Sequence, residues 1–304
     1  MKHDINGLWP ALLTPVKANG DLDTSLAIDH AKRMLVAGCD GVTIFGTTSE
    51  GPAFTNAERR GLLEALIEGG VRPDQIVVTT SCSALADAID LGRHAIAQGC
   101  FRQLFMPPFY FRQPRAAGIV ESVSIVVRGI DDPRLKMLLY HIPGLSSVVF
   151  DHGSIRTLAG HHPGQVIGVK DSSGSGDHGV ALAKAFPQLC ILTGAEQYVG
   201  AVMSSGGCGS INGLGNIAPA LMARIVASPQ QVAPEDEKLV LDLLALLSLR
   251  PGMQFVNVYK TMLAEQTGND DWHNVRAPLC KLEKDEEQAV RAGYRAIGAA
   301  LANV

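Results

Sequence analysis

The stretch Val166-Ile167-Gly168-Val169-Lys170-Asp171-Ser172-Ser173 carries an apolar run into a lysine and then into a polar turn. A run with no polar alternation reads as a strand covered on both faces, as in parallel sheets layered between helices. The chain repeats this pattern on either side. Toward the C-terminus, 177–186 reads as helix, 190–193 as strand, 196–204 as helix, 209–212 as strand and 219–227 as helix. Toward the N-terminus come helix 153–159, strand 137–142, helix 116–129, strand 103–106, helix 84–98, strand 76–80, helix 56–68, strand 41–45, helix 23–36 and a first strand at 8–13. Asp23 or Thr24 is placed to cap the first of these helices. Eight successive βα units predict an α/β protein, a closed (β/α)8 TIM barrel, which takes about 250 residues. No Gly-x-Gly-x-x-Gly follows the first strand, which weighs against an open dinucleotide-binding sheet. From Pro234 the pattern is helical only, over 235–248, 253–266 and 279–302. The expected division is therefore a barrel over 1–228 and an all-helical extension over 229–304, packed on the barrel or at a subunit contact.

Composition narrows the function classes. The 304 residues are 46% hydrophobic and 18% charged, with a formal net charge of -4. That balance fits a large globular core, and no basic run offers a footprint for nucleic acid. The apolar stretch 8–16 contains Pro10 and Pro15 and is too short to span a bilayer, so no membrane partner is expected. Six cysteines, at 39, 82, 100, 190, 208 and 280, are scattered with no Cys-x-x-Cys pair. That argues against a zinc ribbon or a disulfide framework and fits a reducing compartment; a soluble cytoplasmic protein is expected.

Barrel active sites form where strands end. Lys170 ends an apolar strand, so it is placed at the barrel mouth or inside it. Burying an ammonium without a partner is costly, and desolvation favours the neutral amine that a carbonyl-attacking nucleophile needs. The competing reading turns Lys170 outward or pairs it with Asp171. Tyr140, in Tyr140-His141-Ile142-Pro143, ends the fifth strand, where a phenol can relay a proton; the plainer reading is a core tyrosine bonded to a backbone carbonyl. Gly46-Thr47-Thr48-Ser49-Glu50-Gly51 follows the second strand. Its small residues and hydroxyls can gather N–H groups around a carboxylate, or simply cap the next helix. Glu50 reads as catalytic or, more plainly, as a tie for this loop. Gly206-Gly207-Cys208-Gly209-Ser210-Ile211-Asn212-Gly213 leaves room for a phosphate, a substrate chain or close packing. No Arg or Lys within it supports the phosphate.

Together these motifs, in this order at strand ends, resemble the dihydrodipicolinate synthase / N-acetylneuraminate lyase family over nearly the whole chain. The resemblance implies a lyase, a pyruvate-dependent class I aldolase that needs no cofactor and no metal. Lys170 would form a Schiff base with pyruvate or a longer 2-keto acid, and the resulting enamine would add to an aldehyde or arise from retro-aldol cleavage. Thr47 and Thr48 would hold the keto-acid carboxylate and Tyr140 would shuttle the proton. Tyr110, in Pro107-Pro108-Phe109-Tyr110, resembles the tyrosine that a neighbouring subunit inserts into the site, which implies a homo-oligomer, a dimer of dimers. Ser172, Gly194, Glu196, Ile211 and Gly213 are the positions expected to shape the second-substrate pocket.

The departures from the family pattern bear on substrate. The synthase branch has an arginine, two residues past the proline of Tyr-x-x-Pro, that grips a second carboxylate; here the residue is Leu145. The sialic-acid branch has an Asp-Glu pair where this chain has Glu196-Gln197, and a serine where it has Gly213. The usual Asn after the strand-five tyrosine is His141, and Ser49 replaces a common glycine. The expected substrate is a 2-keto-3-deoxy sugar acid or a related hydroxy-keto acid. The alternatives are dihydrodipicolinate synthesis, sialic-acid cleavage, a keto-acid binding protein without activity, and a metal-dependent aldolase. His161 and His162, adjacent and expected in a loop, offer little support for the last.

Overall fold

The computed structural model describes residues 3–250 and 252–301. Its elements follow the expected alternation: β1 (Gly7–Leu8), α1 (Thr24–Val36), β2 (Val42–Ile44), α2 (Asn56–Glu68), β3 (Ile76–Thr79), α3 (Leu85–Ala97), β4 (Arg102–Phe105) and α4 (Ala116–Ile130). Then come β5 (Lys136–His141), α5 (Pro143–Ser146), α6 (His152–His161), β6 (Val166–Asp171), α7 (Gly176–Ala185), β7 (Cys190–Thr193), α8 (Val199–Ser204), β8 (Gly209–Ser210) and α9 (Pro219–Ala227). Local chemistry sets several starts. The Asp23 carboxylate accepts the Leu26 N–H at 3.0 Å to open α1. Thr55 and Glu58 form a reciprocal capping box on α2.

The strands form one 8-stranded parallel sheet in the order β1-β8-β7-β6-β5-β4-β3-β2. The seam between its two edges closes through the parallel bridge Ala11–Thr43 and the 2.8 Å bond from Leu12 N–H to the Thr43 carbonyl. The result is the (β/α)8 barrel. The first strand is shorter than the expected 8–13, because Pro10 has no N–H to give. Beyond Leu8 the chain crosses the seam, with Trp9 N–H and Ala11 N–H donating to Ser210 and Asn212 and the Pro10 carbonyl accepting from Thr43. The eighth strand likewise stops at Ser210 rather than 212. There Asn212 turns its side chain to the Gly215 N–H and the Ser210 hydroxyl. Side chains such as Val77, Leu104, Leu138, Tyr140, Leu192 and Ile211 fill the barrel interior, while Met137 and Leu139 point out to the helix layer.

After the barrel come α10 (Pro234–Leu247), α11 (Phe255–Thr267) and α12 (Lys284–Leu301). The last begins later than the expected 279, and Ala302, the final residue of that expectation, lies outside the described residues. α5 was not expected. His161, expected in a loop, closes α6 instead. No helix among the described residues is long and apolar enough to cross a membrane.

Candidate active site

Tyr140 and Lys170 are directly paired across β5 and β6. With the next residues, His141 and Asp171, alternation along the strands places one pair toward the barrel mouth and the other toward the helices. Lys170 is buried, and its Nζ lies 4.3 Å from the centre of the Tyr140 ring. The Tyr140 hydroxyl lies 3.0 Å from Thr47 Oγ1. Lys170, Tyr140 and the Thr47 and Thr48 loop therefore meet at one place, a cavity of about 220 Å³. The arrangement puts an amine, a phenol and a hydroxyl in sequence: a nucleophile beside a proton carrier that is itself hydrogen-bonded.

The loop after β2 is built to present those hydroxyls. Phe45 and Glu50 take left-handed conformations at φ 57° and 56°. Gly51 donates back to the Gly46 carbonyl, and a Cβ on Gly51 would come within 2.0 Å of the Phe45 carbonyl. Only glycine fits there. Ser49 Oγ donates to the Leu12 carbonyl, and the Thr14 hydroxyl donates to the Ser49 carbonyl at 2.9 Å, tying the loop to the barrel seam. Glu50 faces away from the chemistry and meets Lys260 of α11, with Nζ 2.5 Å from its carboxylate. The looser of the two expectations for Glu50, a loop tie, describes its place.

Opposite the loop, β7 and β8 shape the rest of the cavity. A Cβ on Gly194 would lie 2.2 Å from Ser172 Oγ and 3.4 Å from Lys170 Cε. The bare backbone at Gly194 therefore keeps space beside the lysine stem. Glu196 is buried and accepts N–H bonds from Gly213 at 3.0 Å and Leu214 at 3.2 Å, and the Tyr259 hydroxyl at 3.3 Å. Burial raises its pKa, against those hydrogen bonds, which lower it. A Cβ on Gly213 would meet the Tyr259 hydroxyl at 2.5 Å. Tyr259 thus occupies the volume that a side chain at 213 would need. Ile211 lines the same cavity, whereas Gln197 is exposed beside Glu196.

Sequence reading missed Tyr259, Phe255 and Leu247, which wall the cavity from α10 and α11. They sit in helices of the C-terminal part, where no strand-end signal marks them. It also missed the layer behind the lysine. His141 accepts the Phe150 N–H at its Nδ1 and stacks on His178 with ring centres 4.8 Å apart. His178 in turn lies 3.1 Å from the Asp171 carboxylate. Burial chiefly holds His141 down at about 4; Asp171 opposes the shift and His178 adds to it. Asp171 is occupied by Ser173 and His178 rather than by Lys170.

Tyr110 does not reach this cavity. It is 77% exposed and packs edge-on against Phe111, itself exposed, at 5.5 Å. Leu145, on α5, borders both this cavity and a larger neighbouring one of about 420 Å³. That second cavity also takes in Thr47, Met106, Phe109 and Arg276. Arg276 is already committed there, to Glu58 and to the carbonyls of Gly20 and Ala53.

A sequence profile of the dihydrodipicolinate synthetase family matches residues 4–297. The chain belongs to that family. Among relatives in the dihydrodipicolinate synthetase family, an uncharacterized DapA-like lyase from Chloroflexus aurantiacus is 31% identical, covering 96% of each chain. The crystal structure of dihydrodipicolinate synthase from Agrobacterium tumefaciens is similar with a TM-score of 0.89 and 32% identity, over 96% of this chain and 99% of that one. A Ruminococcus gnavus sialic acid aldolase shares the barrel at a TM-score of 0.88 with 20% identity, covering 98% of this chain and 97% of its own. As a member of the dihydrodipicolinate synthetase family the chain is a lyase of the pyruvate-dependent class I aldolase type.

Proposed function

We propose that Lys170 is the Schiff-base nucleophile and that the protein cleaves or forms a carbon–carbon bond between pyruvate and an aldehyde, with a 2-keto-3-deoxy sugar acid or related hydroxy-keto acid as the longer partner. The observation that carries this is Lys170 Nζ over the Tyr140 ring at 4.3 Å, in a cavity whose Tyr140 and Thr47 hydroxyls lie 3.0 Å apart. Lys170 adds to the ketone to give a carbinolamine. Tyr140 delivers the proton with which hydroxide leaves as water, and the iminium remains. Loss of a proton from C3 then gives the enamine, because the iminium nitrogen accepts the electron pair. Thr47 and Thr48 are assigned to the keto-acid carboxylate, and Tyr140 to the aldehyde oxygen in the second half. Ser172, Gly194, Glu196, Ile211 and Gly213 are assigned to the longer chain of the substrate. Glu196 accepts hydroxyl protons if ionised and donates one if protonated.

Tyr110 is assigned to the site of a neighbouring subunit. Its exposure beside Phe111 supports that role, and it makes a dimer the working unit and a tetramer the expected assembly. The free cysteines fit a cytoplasmic setting. The relatives named as synthases favour a second reading, condensation with aspartate semialdehyde. Leu145 opposes it, because an alkyl side chain offers no clamp for that substrate's carboxylate. Sialic-acid cleavage is opposed by the Tyr259 ring against Gly213.

The test is to incubate the protein with pyruvate, reduce with borohydride, and analyse intact chain and peptides by mass spectrometry. A pyruvyl-sized increase on the peptide holding Lys170 is expected. An adduct on another lysine, or none with pyruvate and a panel of longer keto acids, would remove Lys170 from the role.

A further inference from the structure

At the opposite end of the barrel from Lys170, three metal-binding groups converge that no part of the aldol chemistry uses. Cys190 opens β7, and Cys208 stands immediately before β8. Both thiols are buried. The third group is His3, and its ring nitrogen and the two sulfurs lie within 4.8 Å of one another. They are 18 residues or more apart in sequence, so no motif announces them.

The backbone holds the two sulfurs firmly. Cys190 pairs with Gly168 in the β6–β7 ladder. Cys208 donates its N–H to the Ile191 carbonyl at 2.8 Å and accepts the Gly7 N–H at 2.9 Å on its own carbonyl. The two sulfurs and the His3 ring nitrogen are brought together from three separate segments: the start of β7, the residue before β8, and the N-terminal segment. His3 lies four residues before Gly7, whose N–H is bonded to the Cys208 carbonyl, so the segment that carries the imidazole is anchored to one of the cysteines. Beside them is a cavity of about 530 Å³ lined by His3, Arg156, Gln188 and Cys190, which gives access and room for a water.

We propose that Cys190, Cys208 and His3 bind a soft divalent cation, zinc foremost, with water completing a tetrahedral set. Zinc takes thiolate at about 2.3 Å and imidazole at about 2.1 Å, which puts ligand atoms roughly 3.6 Å apart. The three groups need to draw in by about 1.2 Å at most. Two thiol protons leave to solvent on binding, so the two thiolates neutralise the dication. Thiolate and imidazole together select zinc or copper(I) over magnesium or calcium. The site would pin the N-terminal segment to the starts of β7 and β8, at the seam where β1 contributes only Gly7–Leu8. It is independent of the assignment of Lys170.

The test uses the full chain, reduced and freed of metal, then equilibrated with zinc or cobalt(II) alone. Expected results are one tightly held zinc per chain, a thiolate-to-cobalt charge-transfer band, and a melting temperature that rises with zinc. Cys208→Ser and Cys190→Ser should lose the band. His3→Ala, which removes no core side chain and so should fold even where a cysteine variant does not, should weaken zinc by about tenfold or more. Cys280→Ser, at an exposed thiol, should change nothing. Folded wild-type protein that takes up no zinc overturns the proposal. So does zinc held equally by His3→Ala and both cysteine variants, or a band that depends on Cys280. Isolation of the chain with a Cys190–Cys208 disulfide and no metal uptake after reduction also overturns it.

Discussion

Lys170 and Lys260 are both removed from solvent, at 3% and 0% exposure, yet the protein treats their amines in opposite ways. Lys260 sits 2.5 Å from the Glu50 carboxylate and donates to the Asn274 carbonyl at 2.9 Å. Burial pushes its pKa down and Glu50 opposes the shift. Lys170 has the π-face of Tyr140 instead of a carboxylate, and an open cavity in front of it; the adjacent Asp171 is taken up by His178 and Ser173. A buried amine held between a carboxylate and a backbone carbonyl is a brace. One left facing a void beside a proton carrier is available to a substrate. The two are also connected, because Glu50, the partner of Lys260, lies in the loop that presents Thr47 to Tyr140.

The comparison breaks most sharply on substitution of each lysine. Lys170→Ala should lower kcat/KM for the aldol reaction by about 10⁴-fold or more and abolish borohydride trapping, with the fold intact by circular dichroism. Full activity in that variant would end the assignment.

Lys260→Met should do the reverse. Leaving Glu50 buried without its cation costs about 3–5 kcal/mol of stability, read by urea unfolding, while trapping at Lys170 persists in the folded fraction. Glu50→Gln in the same chain should recover part of that loss. A Lys260→Met protein as stable as wild type would show that the pair is no brace.

A sequence shows Lys170 and hides Lys260 for one physical reason. Barrel strands are continuous apolar runs, so a charge at the end of Val166-Ile167-Gly168-Val169 stands out against its neighbours. The same regularity made the βα alternation and the barrel legible. Lys260 lies in the middle of a helix between Tyr259 and Thr261, where a lysine ordinarily reaches out to solvent, and its burial depends on Glu50, 210 positions away. Tyr259, which shares that helix and closes the pocket over Gly213, was hidden in the same way. The His141, His178 and Asp171 layer was hidden because it needs β5, β6 and α7 to be placed together. Strand ends were misjudged where a single residue intervenes, as with Pro10 in the first strand.

Gly213→Ser sharpens the comparison at the pocket wall. Its Cβ would be 2.5 Å from the Tyr259 hydroxyl, so the ring must shift and its bond to Glu196 must lengthen. Overpacking of this kind costs about 1–3 kcal/mol. KM for the longer substrate should rise more than kcat falls, while trapping of pyruvate is retained. A variant with unchanged stability and unchanged KM would mean that Tyr259 is not the wall.

The smallest effect separates the layer behind Lys170 from the brace at Lys260. His141 is held near 4, mainly by burial, whereas a histidine in an unfolded chain titrates near 6.5. Between those values the unfolded chain takes up a proton that the folded chain refuses. The stability contribution is therefore full above about 6.5 and is lost as pH falls toward about 4. His141→Asn keeps an acceptor for the Phe150 N–H but cannot titrate. At pH 7.5 the variant should match wild type within about 0.5 kcal/mol, a difference ordinary for a substitution that keeps its contacts. By pH 4.5 it should be the more stable of the two, by on the order of 1–2 kcal/mol. The same unfolding midpoints at both pH values in wild type and variant would mean that the stacked His141 and His178 rings, with Asp171 beside them, accept the proton without cost. The layer behind the nucleophile would then be tolerant of charge in a way that the closed pair of Lys260 and Glu50 is not.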